Sequence, residues 1–399
     1  MASGNGATSA PARQGDPDPY PNYAWLRDQA PVSPLVSPNA TRPTWFVASF
    51  ELAKQCLADV RLSNDDRNGG DHEVVDDGDD HIARGLLRLD RPDHTKLRRM
   101  VSSMFSPGAA ERARSMVESV CHAAIDRFAE RGEADVIAEY GLPVPVAVIH
   151  EVLGVPDSQR DDPAHCLDLF VRAGLDRPFD QDAYLELIEY VDRLVAYKRA
   201  NPGDDVTTSL LRNLDAGELT DVRELRSMML SLLGAGHIST VQFLGSSVLR
   251  LLQHPDQLAR LTSGAVRWKD AVHEMLRYDP PVQASVYRYA LADMEIGGVQ
   301  VAKGDAVLIS LGAANRDLAA FDNADEFHAD RPVGLNLAFG YGAHLCLGVH
   351  LARLEGEIAL DILFRRLRGI RMSTPVEEIA WGYGPMLRGP LELRIAFDA

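Results

Sequence analysis

Cysteine is scarce in this chain, and its few copies are too far apart to form a recognisable pair. The 399 residues contain 4 cysteines, and none stands in a CxxC spacing. Cys56, Cys121 and Cys166 lie in apolar, helix-like segments, where an unpaired cysteine behaves as a small buried hydrophobic residue. A disulfide framework is therefore not expected. Cys346 and His344 supply too few ligands, at unsuitable spacing, for structural zinc.

Positive charge is also in short supply. The chain has 41 Lys and Arg against 58 Asp and Glu, which gives a formal net charge of -17 at pH 7. A field of this sign repels phosphate backbones, so nucleic acid is not an expected partner. Hydrophobic residues make up 46% of the chain, which is ample for a globular core.

The N-terminus lacks the apolar core that a signal peptide needs, which predicts a cytoplasmic protein. Residues 1–20 are rich in Gly, Ala, Ser and Pro and are expected to be disordered, with residues 21–399 forming one domain. Residues 227–249 carry no charge and are long enough to span a bilayer. Their polar members, among them His237 and Gln242, favour a buried helix that lines a cavity, so no membrane contact is expected.

Helical periodicity dominates the rest of the chain. Apolar residues recur every three or four positions in four segments, which are 110–132, 182–200, 222–236 and 350–369. Shorter alternating or β-branched runs predict strands, and these lie at 44–49, 294–301, 305–312 and 391–397. The acidic stretch 65–81 has no clear period and is expected to be a solvated, mobile loop. The predicted fold is mainly α with small peripheral β-sheets.

The segment FGYGAHLCLG, which directly precedes the last helical segment, is the most informative part of the sequence. A thiolate at Cys346 can be the axial ligand of haem iron and push electron density toward bound oxygen. Gly340, Gly342 and Gly348 allow tight turns and close backbone approach, so that main-chain N–H groups point at the sulfur while Phe339 covers it. The N-terminus of the following helix stabilises the thiolate further.

This segment resembles the cysteine loop of the cytochrome P450 family, which reads F-x-x-G-x-H-x-C-x-G. Phe339, Gly342, His344, Cys346 and Gly348 match it, and the resemblance extends from about residue 21 to the C-terminus. It implies a single-domain fold of that family, haem b ligated through Cys346, and a monooxygenase that inserts one atom of dioxygen into a small organic substrate.

The resemblance also implies a buried ion network. Glu274 and Arg277 are three residues apart on one helical face, where an ion pair can form. They match the family's E-x-x-R element, which a further arginine joins. Arg316 and Arg331 both lie in the stretch that resembles the family's A-N-R-D segment and meander, and the sequence leaves the choice between them open.

The two haem propionates need cationic or hydrogen-bonding partners, which the family draws from three places. His94 and Arg98 stand at i, i+4 in a segment that resembles its proximal-face helix, so both side chains can reach one region. Arg288 and His344 complete the set that the resemblance implies.

The distal helix departs from the family pattern A-G-x-[D/E]-T-T. Ala235, Gly236 and Thr240 match, but Ile238 replaces the acid and Ser239 replaces the first threonine. Oxygen activation requires two protons, which positioned acids or hydroxyls supply, and isoleucine cannot relay them.

We therefore expect Ser239 to hold the oxygen-side water, with the second group coming from His237, Thr240 or the substrate itself. Alternatively, Ile238 only packs, and ordered water suffices for proton transfer. Use of hydrogen peroxide is less favoured, because no acid-binding arginine stands near Ser239. A non-enzymatic haem-thiolate sensor is a further alternative that would also need Cys346.

The chain has no flavin or iron–sulfur motif, so the resemblance implies electrons from NAD(P)H through a separate ferredoxin and its reductase. A local basic patch on the cysteine side can attract an acidic ferredoxin. Its candidate members are Lys96, Arg98, Arg99, Arg112, Arg114, Arg353, Arg365 and Arg366.

Substrate contacts in this fold come from about residues 65–88 and 165–200 and from the segment after the E-x-x-R helix. The expected lining is apolar with a few polar groups, which suits a medium-sized molecule. Its candidate members are Leu233, Ile238, Phe243, Val282, Gln283, Ala284, Ser285, Val286 and Tyr287. The resemblance indicates tailoring of secondary metabolites, as in antibiotic biosynthesis, and leaves open whether the substrate arrives on a carrier protein.

Overall fold

The computed structural model describes residues 16–35, 42–70, 85–160, 162–175, 180–382 and 386–398. Helices account for most of these residues. The α-helices are α1 Tyr20–Gln29, α2 Phe50–Ala58, α3 Asp93–Ser102, α4 Pro107–Arg112, α5 Arg114–Asp126, α6 Pro143–Leu153, α7 Pro163–Phe170, α8 Gln181–Ala200, α9 Val206–Asp215, α10 Val222–Gln253, α11 Pro255–Thr262, α12 Trp268–Tyr278, α13 Leu311–Asn315 and α14 Val349–Arg366. Two π-helical turns lie at Ile137–Gly141 and Val171–Leu175.

The strands form four small sheets. They are β1 Val32–Leu35, β2 Thr44–Val47, β3 Leu62–Ser63, β4 Glu133–Asp135, β5 Arg288–Ala290, β6 Met294–Ile296, β7 Val299–Val301, β8 Ala306–Ile309, β9 Arg368–Met372, β10 Trp381–Gly382, β11 Gly389–Pro390 and β12 Arg394–Asp398. The largest sheet has the order β1-β2-β8-β5-β3, and β2 and β8 are its parallel pair. The others are β4-β12-β9 and the two-stranded β6-β7 and β10-β11. The prediction of a mainly α fold with small sheets is confirmed.

Helix α10 is the central element. Its 32 residues begin after Asp221, whose side chain accepts hydrogen bonds from the backbone N–H groups of Arg223 and Glu224 and so caps the helix. It contacts α6, α8, α9, α14 and β11. Within the described part of the chain it is the one helix long and apolar enough to cross a membrane, but most of it is buried in the protein. Residues 227–249 therefore form a core helix, as predicted.

The predicted helical segment 110–132 is divided in two. Helix α4 ends at Arg112, and α5 runs from Arg114 to Asp126. A short 3-10 turn then leads to Gly132, which has a left-handed φ of 71° and so ends the helical stretch before β4. Cys56, Cys121 and Cys166 are free and buried, which agrees with their expected role as small core residues.

The chain is already packed against the protein before residue 20, so the expected disordered segment 1–20 is too long. The Tyr20 hydroxyl donates a 2.7 Å hydrogen bond to buried Asp279, and Arg388 donates to the Pro17 carbonyl. Burial alone would raise the pKa of Asp279, but Arg388 and Arg250 outweigh it and hold that pKa far below its usual range. Residues 1–15 lie outside the described residues.

The structure describes only the start of the predicted acidic loop, residues 65–70. Residues 71–81 lie outside the described residues. In the part that is described, Asp65 is buried and accepts hydrogen bonds from the backbone and guanidinium of Arg67, and Asp66–Asn68 form a 3-10 turn. The start of this stretch is therefore ordered structure, because its charges are paired locally instead of being solvated.

Candidate active site

A fully buried ion pair holds the chain around the candidate site in place. Helix α12 presents Glu274 and Arg277 on one face, and two hydrogen bonds of 2.7 and 2.8 Å join them. Arg277 also donates to the carbonyls of Asn315 and Ala324. The Nε of Arg331 lies 3.0 Å from the Glu274 carboxylate. Of the two candidates for the third member of the network, Arg331 is thus the one that contacts Glu274.

Arg316 holds a different part of the structure. Its Nε donates to the Tyr278 carbonyl at 2.7 Å, and its guanidinium lies 3.5 Å from the centroid of the Tyr278 ring. It also forms an ion pair with Asp325 at 3.2 Å. Arg316 therefore secures the end of α12 instead of joining Glu274.

Hydrogen bonds continue from this ion network to the cysteine loop. The Asn315 side chain accepts from the Leu337 N–H at 2.7 Å, and the Gly340 N–H donates to the Leu337 carbonyl at 2.8 Å. The Cys346 N–H then donates to the Phe339 carbonyl at 2.9 Å. The loop that carries the thiol is thus fixed at both of its ends before α14 begins.

Two glycines of the loop are required by backbone conformation. Gly340 and Gly342 have left-handed φ values of 73° and 76°, which residues with a Cβ rarely adopt. A Cβ on Gly342 would also lie 2.9 Å from the Leu57 carbonyl oxygen. Gly348 is different, because its φ is -84° and a Cβ there would meet no protein atom within 4 Å. Gly348 thus does not need a left-handed backbone, but its N–H does hydrogen-bond to Cys346, which is the close backbone approach expected of it.

Burial and the neighbouring groups have opposite effects on the pKa of Cys346. Burial raises the pKa of its thiol, whereas a backbone hydrogen bond from Gly348 and the charges of Arg98 and Arg353 lower it. Arg353 also lies 5.2 Å from the centroid of the Phe339 ring, so Phe339 packs beside the thiol's cationic neighbour. These groups suit a sulfur that becomes anionic when it ligates a metal ion.

Four cationic or donor side chains from separate elements meet beside this loop. The rings of His94 in α3 and His344 lie 4.0 Å apart between centroids. The Nη2 of Arg98 donates to the Leu345 carbonyl at 2.6 Å. Arg288 in β5 is buried, and its Nε has no partner among the described residues. The structure thus brings together the four residues that the sequence assigned to the propionates.

The cluster has more positive than negative members. Burial lowers the pKa of His344 to about 3, and the neighbouring His94, Arg288 and Arg98 add to that shift. Asp90, which the sequence analysis missed although it stands four residues before His94, is the one carboxylate that favours the charged forms of His94 and Arg288. Because the lowered pKa values leave both imidazoles neutral at pH 7, the charges of the cluster are those of Arg288, which is buried, and Arg98, which is partly buried. A buried guanidinium with an unpartnered N–H requires an anionic ligand, and the two propionates of haem fit this pair of arginines and the neutral imidazole donors beside it.

The distal helix presents Ser239 and Ala235 toward open space. Ser239 is half-buried, and its hydroxyl donates to the Ala235 carbonyl at 3.3 Å. Gly236 leaves room for Ile149 of α6, because a Cβ there would lie 2.6 Å from the Ile149 Cδ1. Ile238 and Thr240 are largely buried.

His237 does not share the face of Ser239. Its Nδ1 lies 2.7 Å from the Leu233 carbonyl, and its ring packs edge-on against Phe170 of α7 at 5.4 Å between centroids. Two residues along an α-helix correspond to about 200° of rotation, so the two side chains leave α10 on opposite sides. The expectation that His237 can supply the second proton directly is therefore wrong.

Core packing encloses two of the residues that were predicted to line the substrate pocket. Phe243 fits against Gly356 of α14, where a Cβ would lie 2.4 Å from the Phe243 ring, and it belongs to the core. Gln283 is buried and donates to the Tyr20 hydroxyl and the Pro280 carbonyl. Both were wrongly expected in the pocket, because their side chains are already enclosed by other elements.

The other residues predicted to line the pocket differ in their exposure. Leu233 and Ala284 are enclosed in separate core clusters, which leaves them no open surface to offer a substrate. Val282, Ser285 and Val286 are partly exposed and remain candidates. Tyr287 is also partly buried and packs beside the N-terminal core cluster.

Ion pairs remove several members of the predicted basic patch. Arg114 pairs with Glu111, Arg365 with Asp361 and Arg366 with Asp126. Arg98 and Arg353 are partly buried beside Cys346. Lys96, Arg99 and Arg112 have no carboxylate partner within the described ranges, and Arg99 and Arg112 are exposed.

Comparison with known proteins agrees with this geometry. The family model described as Cytochrome P450 matches residues 268–378, which include Glu274, Arg277 and Cys346. Cytochrome P450 107B1 of Saccharopolyspora erythraea is 35% identical over 380 residues and covers 93% of each chain. Mycinamicin IV hydroxylase/epoxidase of Micromonospora griseorubida is 34% identical over 378 residues and covers 94% of each chain.

Solved structures share the whole fold. The bacillaene polyketide synthase cytochrome P450 PksS of Bacillus subtilis superposes with a TM-score of 0.88 at 30% identity, covering 96% of this chain and 97% of that one. P450BioI, in complex with an acyl carrier protein ligated to hexadec-9Z-enoic acid, superposes with a TM-score of 0.86 at 28% identity and covers 96% and 98%.

Gly342 and Gly348 provide a matched test of the claim that only the first needs a left-handed backbone. We expect Gly342→Ala to lower the free energy of unfolding by about 1–3 kcal/mol, because it forces a left-handed φ on alanine. Gly348→Ala should change it by no more than about 0.5 kcal/mol. Urea unfolding followed by far-ultraviolet circular dichroism measures both. Equal destabilisation by the two substitutions would contradict this account of the loop.

Proposed function

The chain belongs to the cytochrome P450 family, and we propose that it hydroxylates or epoxidises a small organic molecule in the tailoring of a polyketide or related secondary metabolite. Its relatives include a mycinamicin IV hydroxylase/epoxidase and a polyketide-biosynthesis cytochrome P450. The observation that carries the proposal is that Cys346 lies beside the buried, partly unsatisfied guanidinium of Arg288 and the donor groups of His94, Arg98 and His344.

These residues have separate tasks. Cys346 would ligate the iron, and His94, Arg98, Arg288 and His344 would hold the propionates. Haem bound there supplies the iron at which dioxygen is activated for transfer of one of its atoms to the substrate. Each turnover consumes one dioxygen, two electrons and two protons, and it releases one water with the oxidised product.

Proton supply is the step for which this chain departs from its family's pattern. Ser239 has the hydroxyl on the open face of α10, and Ile238 at the acid position cannot exchange a proton. Ser239 would hold a water there, receive a proton at Oγ and pass its own hydroxyl proton on. With His237 directed elsewhere, the second group would be Thr240, a hydroxyl, amine or carboxylate of the substrate, or ordered water.

Electrons would arrive from NAD(P)H through a ferredoxin reductase and a ferredoxin. The unpaired cations Lys96, Arg99 and Arg112 lie on α3 and α4, and both helices pack against the same short turn near α14. An acidic ferredoxin would be attracted to this side, where the cysteine loop also lies. We place these steps in the cytoplasm.

The exposed face of α8 bears on how the substrate arrives. Asp182, Glu186 and Glu189 are exposed along it, and such a row of carboxylates repels an acidic partner. An acidic carrier protein would therefore not dock on this helix.

The cofactor assignment is tested by the absorption spectrum of the reduced protein with carbon monoxide. We expect a thiolate-type Soret band in the wild type and its loss in Cys346→Ala, because this band depends on a thiolate ligand to the iron. Cys166→Ala is the matched control and should keep the band. A substrate library is then screened for ligand-induced changes in iron spin state. A protein without haem, or an unchanged band in Cys346→Ala, would overturn the proposal.

The role of Ser239 is tested by coupling, which is the product formed per NAD(P)H consumed. The probe is the library compound that causes the largest spin-state change. Ser239→Ala should lower coupling about tenfold, since a positioned proton donor is lost, and Ser239→Thr should retain it. Unchanged coupling in Ser239→Ala would show that ordered water or the substrate suffices.

Redox docking is tested by the rate of haem reduction with an acidic ferredoxin as a function of salt. The wild-type rate should fall steeply with ionic strength, and the double variant Arg99→Glu, Arg112→Glu should lower it about tenfold at low salt. Arg365→Glu is the control, because that arginine is already paired with Asp361. A flat salt response in the wild type would refute docking at this patch.

A further inference from the structure

Helix α10 contains a buried amide whose polar atoms are both unsatisfied. Gln242 has 0% of its surface exposed. Neither its Nε2 nor its Oε1 has a hydrogen-bond partner among the described residues. A buried polar group without a partner carries its full desolvation cost, and native proteins usually meet it with an ordered water.

The surroundings of this amide are formed by the β10-β11 hairpin. A Cβ on Gly389 would lie 1.7 Å from the Gln242 Oε1, so glycine is required there for the amide to take its place. Strand β10, which pairs with β11, brings Trp381, whose Nε1–H also lacks a partner within the described ranges. The Trp381 ring itself lies beside Arg388, whereas the Gln242 amide carries both an unsatisfied donor and an unsatisfied acceptor, which are the groups that bind water.

Gln242 stands close to Ser239, the residue proposed to pass on the proton. It follows Ser239 by three residues on α10, and side chains with this spacing are neighbours on a helix surface, with Cβ atoms about 5–6 Å apart. One water molecule spans a gap of that size. The Ser239 hydroxyl donates to the Ala235 carbonyl, which leaves its oxygen free to accept a hydrogen bond.

We propose that Gln242 is a positioning residue for proton delivery, and that its amide holds a buried water that donates a hydrogen bond to the Ser239 hydroxyl. The inference rests on the proposed function of Ser239. The water gives a proton to Ser239 Oγ as Ser239 releases its own, and the water regains a proton from solvent. Only O–H bonds form and break, and no electron is transferred in this relay.

This arrangement replaces the acid that Ile238 lacks. An amide cannot donate the proton itself at neutral pH, but it orients a water by donating from Nε2 and accepting at Oε1. The relay therefore depends on Gln242 for geometry and on Ser239 for the hydroxyl.

The first test is a crystal structure of the haem-loaded protein. An ordered water within hydrogen-bond distance of the Gln242 amide and the Ser239 hydroxyl is expected, and it should be lost in Gln242→Leu. A well-ordered wild-type amide with no water beside it would overturn the proposal. This readout does not depend on activity.

The second test measures coupling and the solvent deuterium isotope effect with the same library compound. Gln242→Leu should lower coupling about tenfold and increase the isotope effect, and Gln242→Glu should restore coupling because it orients the water and can also donate a proton. Gln257→Leu is the matched control, since it removes another buried glutamine side chain from α11 and should change stability but not coupling.

The outcomes separate the two proposals. Loss of coupling in both Ser239→Ala and Gln242→Leu supports the relay. Loss in Ser239→Ala alone overturns the role of Gln242 and leaves that of Ser239 intact. No loss in either overturns the hydroxyl route as a whole. If Gln242→Leu fails to fold, Gln242→Glu and the wild-type crystal structure still decide the question.

Discussion

The buried Glu274–Arg277 ion pair is the interaction from which the geometry of the site follows. With its charges removed from water, Arg277 must satisfy its remaining N–H groups, and it does so on the carbonyls of Asn315, Ala324 and Glu326. Glu274 in turn accepts from Arg331. These bonds fix the irregular chain between α13 and the cysteine loop, which has little regular structure of its own.

The buried charges of this protein fall into balanced and unbalanced groups. Glu274 with Arg277 and Arg331, and Asp279 with Arg250 and Arg388, contain their own counter-ions. The group around His94, His344 and Arg288 does not, because Arg98 and Arg288 face one carboxylate in the described part of the chain, Asp90, and the Arg288 Nε keeps no partner among the described residues. The imbalance distinguishes a site built for an anionic cofactor from an ion network that only supports the fold.

The distal helix follows a different principle, because Ile238 stands at the position where the family pattern has an acid. Ile238 is buried, and His237 packs against Phe170 of α7, so the proposed route uses hydroxyl and amide side chains of α10 together with water. Buried polar atoms such as those of Gln242 are costly unless they are satisfied. Their presence beside the reactive face of α10 is therefore better explained by a role in hydration than by stability.

Local sequence determined the elements of this protein and the loop that carries its candidate cysteine ligand. Helical and strand periods depend on neighbouring residues, and the loop around Cys346 is continuous in the chain, so both could be predicted. The four residues assigned to the propionates also came from motifs, and the structure brings them together beside the cysteine loop. The choice of Arg331 over Arg316, the direction of His237 and the burial of Phe243 and Gln283 could not be predicted in this way. They depend on which distant elements meet, such as Gly356 against Phe243 and Tyr20 against Gln283, and only the tertiary structure decides such contacts.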